Sequence, residues 1–171
     1  MLKRYIPEGL KLDGTDYPVA GVLPAIYAKR KINRGFEGLA LSSDETTIYL
    51  GLQSPLLNPD RKTGETSRNT RIILFDIASE RVSAEYVYQF DVSKQFDPNP
   101  KNTPDEMKLS GVAVLNSTTL LVLERTDLVA KLYSVDLSKA TNILNTRWDD
   151  PKTVPTLEAG RSGSRANPCI A

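Results

Sequence analysis

Histidine is absent from all 171 residues. That removes Ser-His-Asp and Cys-His catalysis, histidine-ligated zinc and a histidine phosphate acceptor from the chemistry this chain can perform alone. Cysteine occurs once, at Cys169, so no internal disulfide forms, and we read it as an incidental tail thiol. No glycine-rich phosphate loop or dinucleotide fingerprint is present. Gly160-Arg161-Ser162-Gly163-Ser164 approaches the serine elbow but fails at its last position. No apolar run nears the roughly 18–20 residues of a membrane-spanning helix. Met1 to Ile6 holds two basic residues with no apolar stretch after them, so no signal peptide is read there. Net charge is only +1, which gives no field to draw the chain to nucleic acid or an anionic membrane.

What is present is a repeat. Gly38-Leu39-Ala40-Leu41 returns as Gly111-Val112-Ala113-Val114. Ile48 to Gln53 answers to Leu120 to Arg125, and Arg71 to Ile77 answers to Lys131 to Leu137. Alternation and β-branched content predict strands near 37–42, 47–53, 70–77 and 82–90. A second set falls near 109–115, 119–125, 130–137 and 143–148. The connections inside each set are short and turn-rich, as antiparallel hairpins require. The expected class is therefore all-β: a β-propeller fragment with about two complete four-stranded antiparallel blades and part of a preceding one. Residues 1–32 are expected to be the end of that earlier blade or an irregular segment. Residues 33–92 form the first blade, with a long loop at 54–69. Residues 93–157 comprise a long loop at 93–108 and the second blade, and residues 158–171 a disordered tail. Long prolinated loops in a compact β domain are functional or disordered.

Hairpin parity sorts the charged residues. Glu37 begins one strand and Gln53 ends its partner. The equivalent places in the second unit are Ser110 and Glu124-Arg125. These residues and both long loops are expected on one face. Glu37 and Glu124 are candidates for an acid–base pair or for holding Ca²⁺, a hard cation that takes carboxylate oxygens. Arg34, Gln53, Arg71 and Arg125 are candidates to bind a phosphate or carboxylate. The bland alternative for each is a solvated strand-end charge. Asp76 and Asp136 are read as turn caps, and Tyr49, Phe75, Tyr86, Tyr88 and Tyr133 as core.

Asn33 to Ser42, then Tyr49 to Leu56, resemble the phytase-like propeller family described as "esterase-like activity of phytase"; Leu120 to Arg125 and Lys131 to Asn142 look similar to its next segment. The likeness covers roughly residues 30–150. It implies a larger, exported (periplasmic or extracellular) propeller with a hydrolytic role. Three readings follow. One is a hydrolase of phosphate or carboxylate esters using Glu37 and Glu124. Another is a non-catalytic ligand- or partner-binding propeller. The third is a truncated fragment without independent activity. Whichever holds, two open blade faces are expected to drive self-association.

Overall fold

In the computed structural model, residues 2–99 and 101–160 are described. The strands expected from alternation form within about a residue of their predicted limits, with one exception. A four-stranded antiparallel sheet takes the order β3 (Phe36–Leu41), β4 (Thr47–Leu52), β5 (Asn69–Asp76), β6 (Arg81–Gln89). A three-stranded antiparallel sheet follows as β7 (Lys108–Val114), β8 (Thr119–Arg125), β9 (Ala130–Asp136). The protein is all-β. Ahead of both sheets, β1 (Arg4–Pro7) and β2 (Val19–Leu23) pair in parallel. The segment expected to be the end of an earlier blade or an irregular stretch thus carries a parallel pair.

Local chemistry explains the hairpins. In the β3–β4 turn, Asp44 accepts from the Ser42 and Thr46 hydroxyls and from the Thr46 N–H, and these bonds lower its pKa. Asp76 accepts from the Ser79 N–H at 2.7 Å and Asp136 from the Ser138 N–H at 2.9 Å, so both cap turns as expected. β5 is buried on both faces along most of its length, which is why its Ile72-Ile73-Leu74-Phe75 segment shows no alternation.

The exception is the eighth strand. Residues 143–148 form no strand; Thr146 caps a short 3₁₀ turn at Arg147–Asp149, and Asn145 has φ +59°. The chain instead crosses back to the first sheet. The Ile143 N–H donates to the Glu85 carbonyl, and the Asn142 side chain accepts from the Glu85 N–H. This return covers the outer edge of β6, which otherwise presents unpaired backbone groups. Asn142, Asn145 and Thr146 are turn formers, and they prevailed over the weak apolar alternation.

The two sheets pack face to face. Ala40, Tyr49, Ile72, Tyr88 and Phe90 of the first meet Leu109, Leu120, Val122 and Val135 of the second. The loop before β7 contributes Phe96 and Met107 to this core, and the loop after β4 places Leu56 in a second core against Ile26, Tyr27 and Ile73. Both long loops are therefore packed parts of the domain.

The inner strands of the repeats come closest. A β-carbon on Gly38 would lie 2.6 Å from Val112 Cγ2, and one on Gly51 2.5 Å from Leu109 Cδ2. Gly51→Val should therefore overpack the sheet interface and lower the unfolding free energy by about 1–3 kcal/mol. Urea denaturation measures this, and an unchanged midpoint would mean that the two strands do not pack this closely.

Candidate functional site

Each inner strand carries a bulge at the same repeat position. The pairing of β3 with β4 shifts between Phe36 and Gly38, and that of β7 with β8 between Leu109 and Gly111. The bulged residues are Glu37 and Ser110. They meet, the Ser110 hydroxyl donating to Glu37 at 3.4 Å, while Arg125 Nε donates to Ser110 at 2.9 Å. Arg34 donates to Ser54 Oγ at 2.9 Å and to the Asp105 carbonyl at 3.4 Å. Lys31 is ion-paired with Asp105, and Lys108 with Asp127 at 2.7 Å. Arg34, Glu37, Ser110 and Arg125 thus lie along one polar rim where the long loops arrive. Gln53 contributes its carbonyl, which accepts from the Leu109 N–H at 3.0 Å. Its side chain is buried, with Oε1 lacking a hydrogen-bond partner. Among the described residues each of these four cations has an acidic, hydroxyl or carbonyl partner.

Glu124 does not join this rim. Adjacent strand residues point to opposite faces, so with Arg125 directed to Ser110, Glu124 turns into the inter-sheet core and is only 1% exposed. The Tyr88 hydroxyl donates to one of its oxygens, and the Asp91 N–H to the other at 3.2 Å. Tyr133 donates to Asp91 Oδ2 at 3.1 Å. Arg68 reaches the same place, its Nε donating to the Phe90 carbonyl at 2.7 Å. These groups line a cavity of about 270 Å³ at the end of the inter-sheet core. Burial raises the Glu124 pKa above the usual carboxyl value and nearby Asp91 adds to the rise; the bonds from Tyr88 and Asp91 and the charge of Arg68 oppose it without cancelling it. Burial and the bond to Asp91 push Tyr133 up to about 12.

Glu37 and Glu124 therefore have separate environments and share no hydrogen-bond partner. The residues do not fit a calcium ion held between them. Both Glu124 oxygens already accept hydrogen bonds, and among the described residues no three acidic side chains form a metal-holding group. Asp91, Arg68 and the hydroxyls of Tyr88 and Tyr133 escaped the sequence reading. Tyr88 is core, as its alternation indicates, yet its hydroxyl ends on Glu124. The only available signal was Asp91 directly after Phe90, the apolar residue just past β6.

Arg71 is not at either place. It is completely buried, 2.7 Å from Glu85, 3.3 Å from Glu158 and 3.6 Å from Asp149, and it donates to the Trp148 carbonyl at 3.1 Å. Tyr27 donates to Glu85 at 2.8 Å. Burial works against the guanidinium charge, but Glu85 and Glu158 outweigh it, so Arg71 stays charged. Expected to hold ligand, Arg71 is instead a clasp that fixes residues 148–158 to the first sheet. Glu158, expected to begin a loose tail, is buried. The rest of that tail, with Cys169, lies outside the described residues.

No curated protein matches the chain, and no solved structure does. A family model described as phytase-like, "esterase-like activity of phytase", matches residues 2–159. That span extends beyond the segments carrying the resemblance, into the N-terminal parallel pair and to the buried Glu158. The match over nearly the whole chain, on an all-β scaffold of repeated antiparallel sheets, places this protein in the phytase-like family.

Proposed function

We propose that this phytase-like domain hydrolyses a phosphate or carboxylate ester at the Glu124 cavity, and that its two sheets are adjacent blades of a propeller. The observation that carries the catalytic reading is one buried carboxyl, Glu124, with a raised pKa, lining a cavity beside a second carboxylate, Asp91. Two neighbouring carboxyl groups can divide acid from base work. Glu124, whose pKa burial raises, serves in this reading as the acid that protonates the leaving alkoxide oxygen as the ester bond breaks. Asp91 is the base that takes a proton from the attacking water as the new bond to phosphorus or carbon forms. The Arg68 guanidinium offsets negative charge on the reacting group, and the Tyr88 and Tyr133 hydroxyls hold the two carboxyls in place. No step is assigned to calcium.

The test is hydrolysis of p-nitrophenyl phosphate and p-nitrophenyl acetate by wild type, Glu124→Gln and Asp91→Asn. Each substitution should lower kcat by about 10²–10⁴-fold, the usual weight of a general acid or base, with the circular dichroism spectrum unchanged. Full activity in both variants, or none in wild type, would overturn the assignment. The bulge-to-bulge contact of Glu37 with Ser110 favours a second reading, a non-catalytic domain that binds a ligand through its rim. In that case Glu37→Ala with Arg125→Ala abolishes binding, whereas Glu124→Gln leaves it unchanged.

A further inference from the structure

Charge distinguishes phosphate from carboxylate esters at the Glu124 cavity. Among the described residues that line it, Arg68 is the one cation, and Asp91 and Glu124 are the acids. With both carboxyls ionised the lining is net negative, and a proton on Glu124 brings it to neutral. In neither state is it positive. Burial, and then the negative charges of Glu124 and Asp91, raise the Tyr88 and Tyr133 hydroxyls, so the field at both oxygens is negative. The backbone donors at this turn are already taken. The Asp91 N–H donates to Glu124 at 3.2 Å, and the Val92 N–H to Asp91 Oδ1 at 2.7 Å.

A phosphate monoester carries close to two negative charges at neutral pH. Sites that take it meet those charges with cations and with open backbone N–H groups. A carboxylate ester is uncharged as it enters. It gains one negative charge only when water adds to its carbonyl carbon. One arginine beside two carboxyls matches that course: no charge to hold in the ground state, and one oxyanion to offset in the transition state. The walls agree, since Phe90, Val135 and the Tyr88 ring are apolar and buried. At about 270 Å³ the space is at the small end for ligand sites, which suits a short acyl chain.

On the catalytic reading of this cavity, on which the assignment rests, we propose that its substrate is an uncharged carboxylate ester with a short acyl chain, and that Arg68 selects it by acting on the oxyanion. The water oxygen bonds to the carbonyl carbon while Asp91 accepts a proton from it, and the carbonyl electron pair moves onto oxygen beside Arg68. That pair returns as the bond to the alkoxide breaks, and Glu124 gives the alkoxide its proton. A carboxylic acid and an alcohol leave. Solvent then carries the proton from Asp91 back to Glu124.

Three p-nitrophenyl esters with one leaving group test this: the butyrate, the phosphate and the monosuccinate, whose acyl chain ends in a carboxylate. Wild type should hydrolyse the butyrate at a rate that Glu124→Gln lowers. The succinate undergoes the same bond change, so like charge alone should lower its kcat/KM by about 10-fold or more. The phosphate should be left intact, and phenyl phosphate should neither inhibit butyrate hydrolysis nor raise the melting temperature. Arg68→Gln should lower kcat for the butyrate by about 10²–10³-fold, the weight of one oxyanion donor, with KM little changed. Arg68→Lys keeps the charge and should recover part of that loss. Hydrolysis of none of the three esters would defeat the catalytic reading and this assignment with it. Glu124-dependent hydrolysis of the phosphate, with the butyrate intact, would keep that reading and overturn the assignment. Equal use of butyrate and succinate, protection by phenyl phosphate, or an Arg68→Gln effect confined to KM would also overturn it.

Discussion

Arg71→Met is expected to destabilise the protein by about 3–5 kcal/mol, the usual cost of leaving buried charge uncompensated. Among the described residues Arg71 is the one cation ion-paired with Glu85, Glu158 and Asp149, and the side chains of Arg71, Glu85 and Glu158 are at most 1% exposed. Removing it places carboxyl groups in a low-dielectric interior without a counter-charge. Glu85 Oε2 and Glu158 Oε2 have no hydrogen-bond partner in the described structure. The clasp ties β5 and β6 to residues 148–158, so loss should appear first as release of that segment. Chemical denaturation gives the magnitude, and faster amide exchange across 143–158 than across β8 gives the location. A stability within about 0.5 kcal/mol of wild type, the range of ordinary surface substitutions, would show that Arg71 does not hold this cluster together.

The second large effect is with pH. Burial, then Glu85 beside it, pushes Asp149 from its ordinary 3.8 up to about 7. A carboxyl with a raised folded pKa binds its proton more tightly folded than unfolded, so stability falls as pH rises from about 4 to about 7 and then levels for this group. Glu158 and Glu124 are raised as well and act with the same sign. The turn caps Asp44, Asp76 and Asp136 are lowered and act oppositely; they hold stability above 3.8 and lose it as pH drops below that value. The wild-type melting temperature should therefore be highest on the mildly acidic side and decline towards neutrality. Asp149→Asn keeps the shape, removes the titration and should flatten most of that decline. The groups facing this side chain are Arg71, Glu85 and the Asn145 N–H, and all remain in the variant. A slope as steep in the variant as in wild type would show that Asp149 does not titrate there.

The rim and the cavity show how far strand parity carries. Parity was sufficient to put Glu37 with Ser110, because both are fixed by the same local event, a bulge before a glycine at matched repeat positions. It was not sufficient for Glu124. Residues 124 and 125 were expected to share a face as one strand end, but neighbouring residues on a strand point to opposite sides, and only one could reach Ser110. Which of the two depends on the bulge at Ser110 and on the sheet packed beneath β8. Neither is expressed in the alternation of Leu120 to Arg125.

By itself the sequence determined the all-β class, the limits of seven strands, the capped turns and the repeat. Each rests on interactions between residues close in the chain: alternation, turn chemistry, hairpin pairing. Tertiary structure decided everything that depends on residues far apart. It brought Asp91 to Glu124, drew Arg71 inward to Glu85, Asp149 and Glu158, and sent residues 143–158 to the edge of β6 in place of an eighth strand. The physical reason is that a charged side chain reads the same in sequence whether water or protein surrounds it. Only the packing of the two sheets established that Arg71 and Glu124 would be enclosed while Glu37 stayed in solvent.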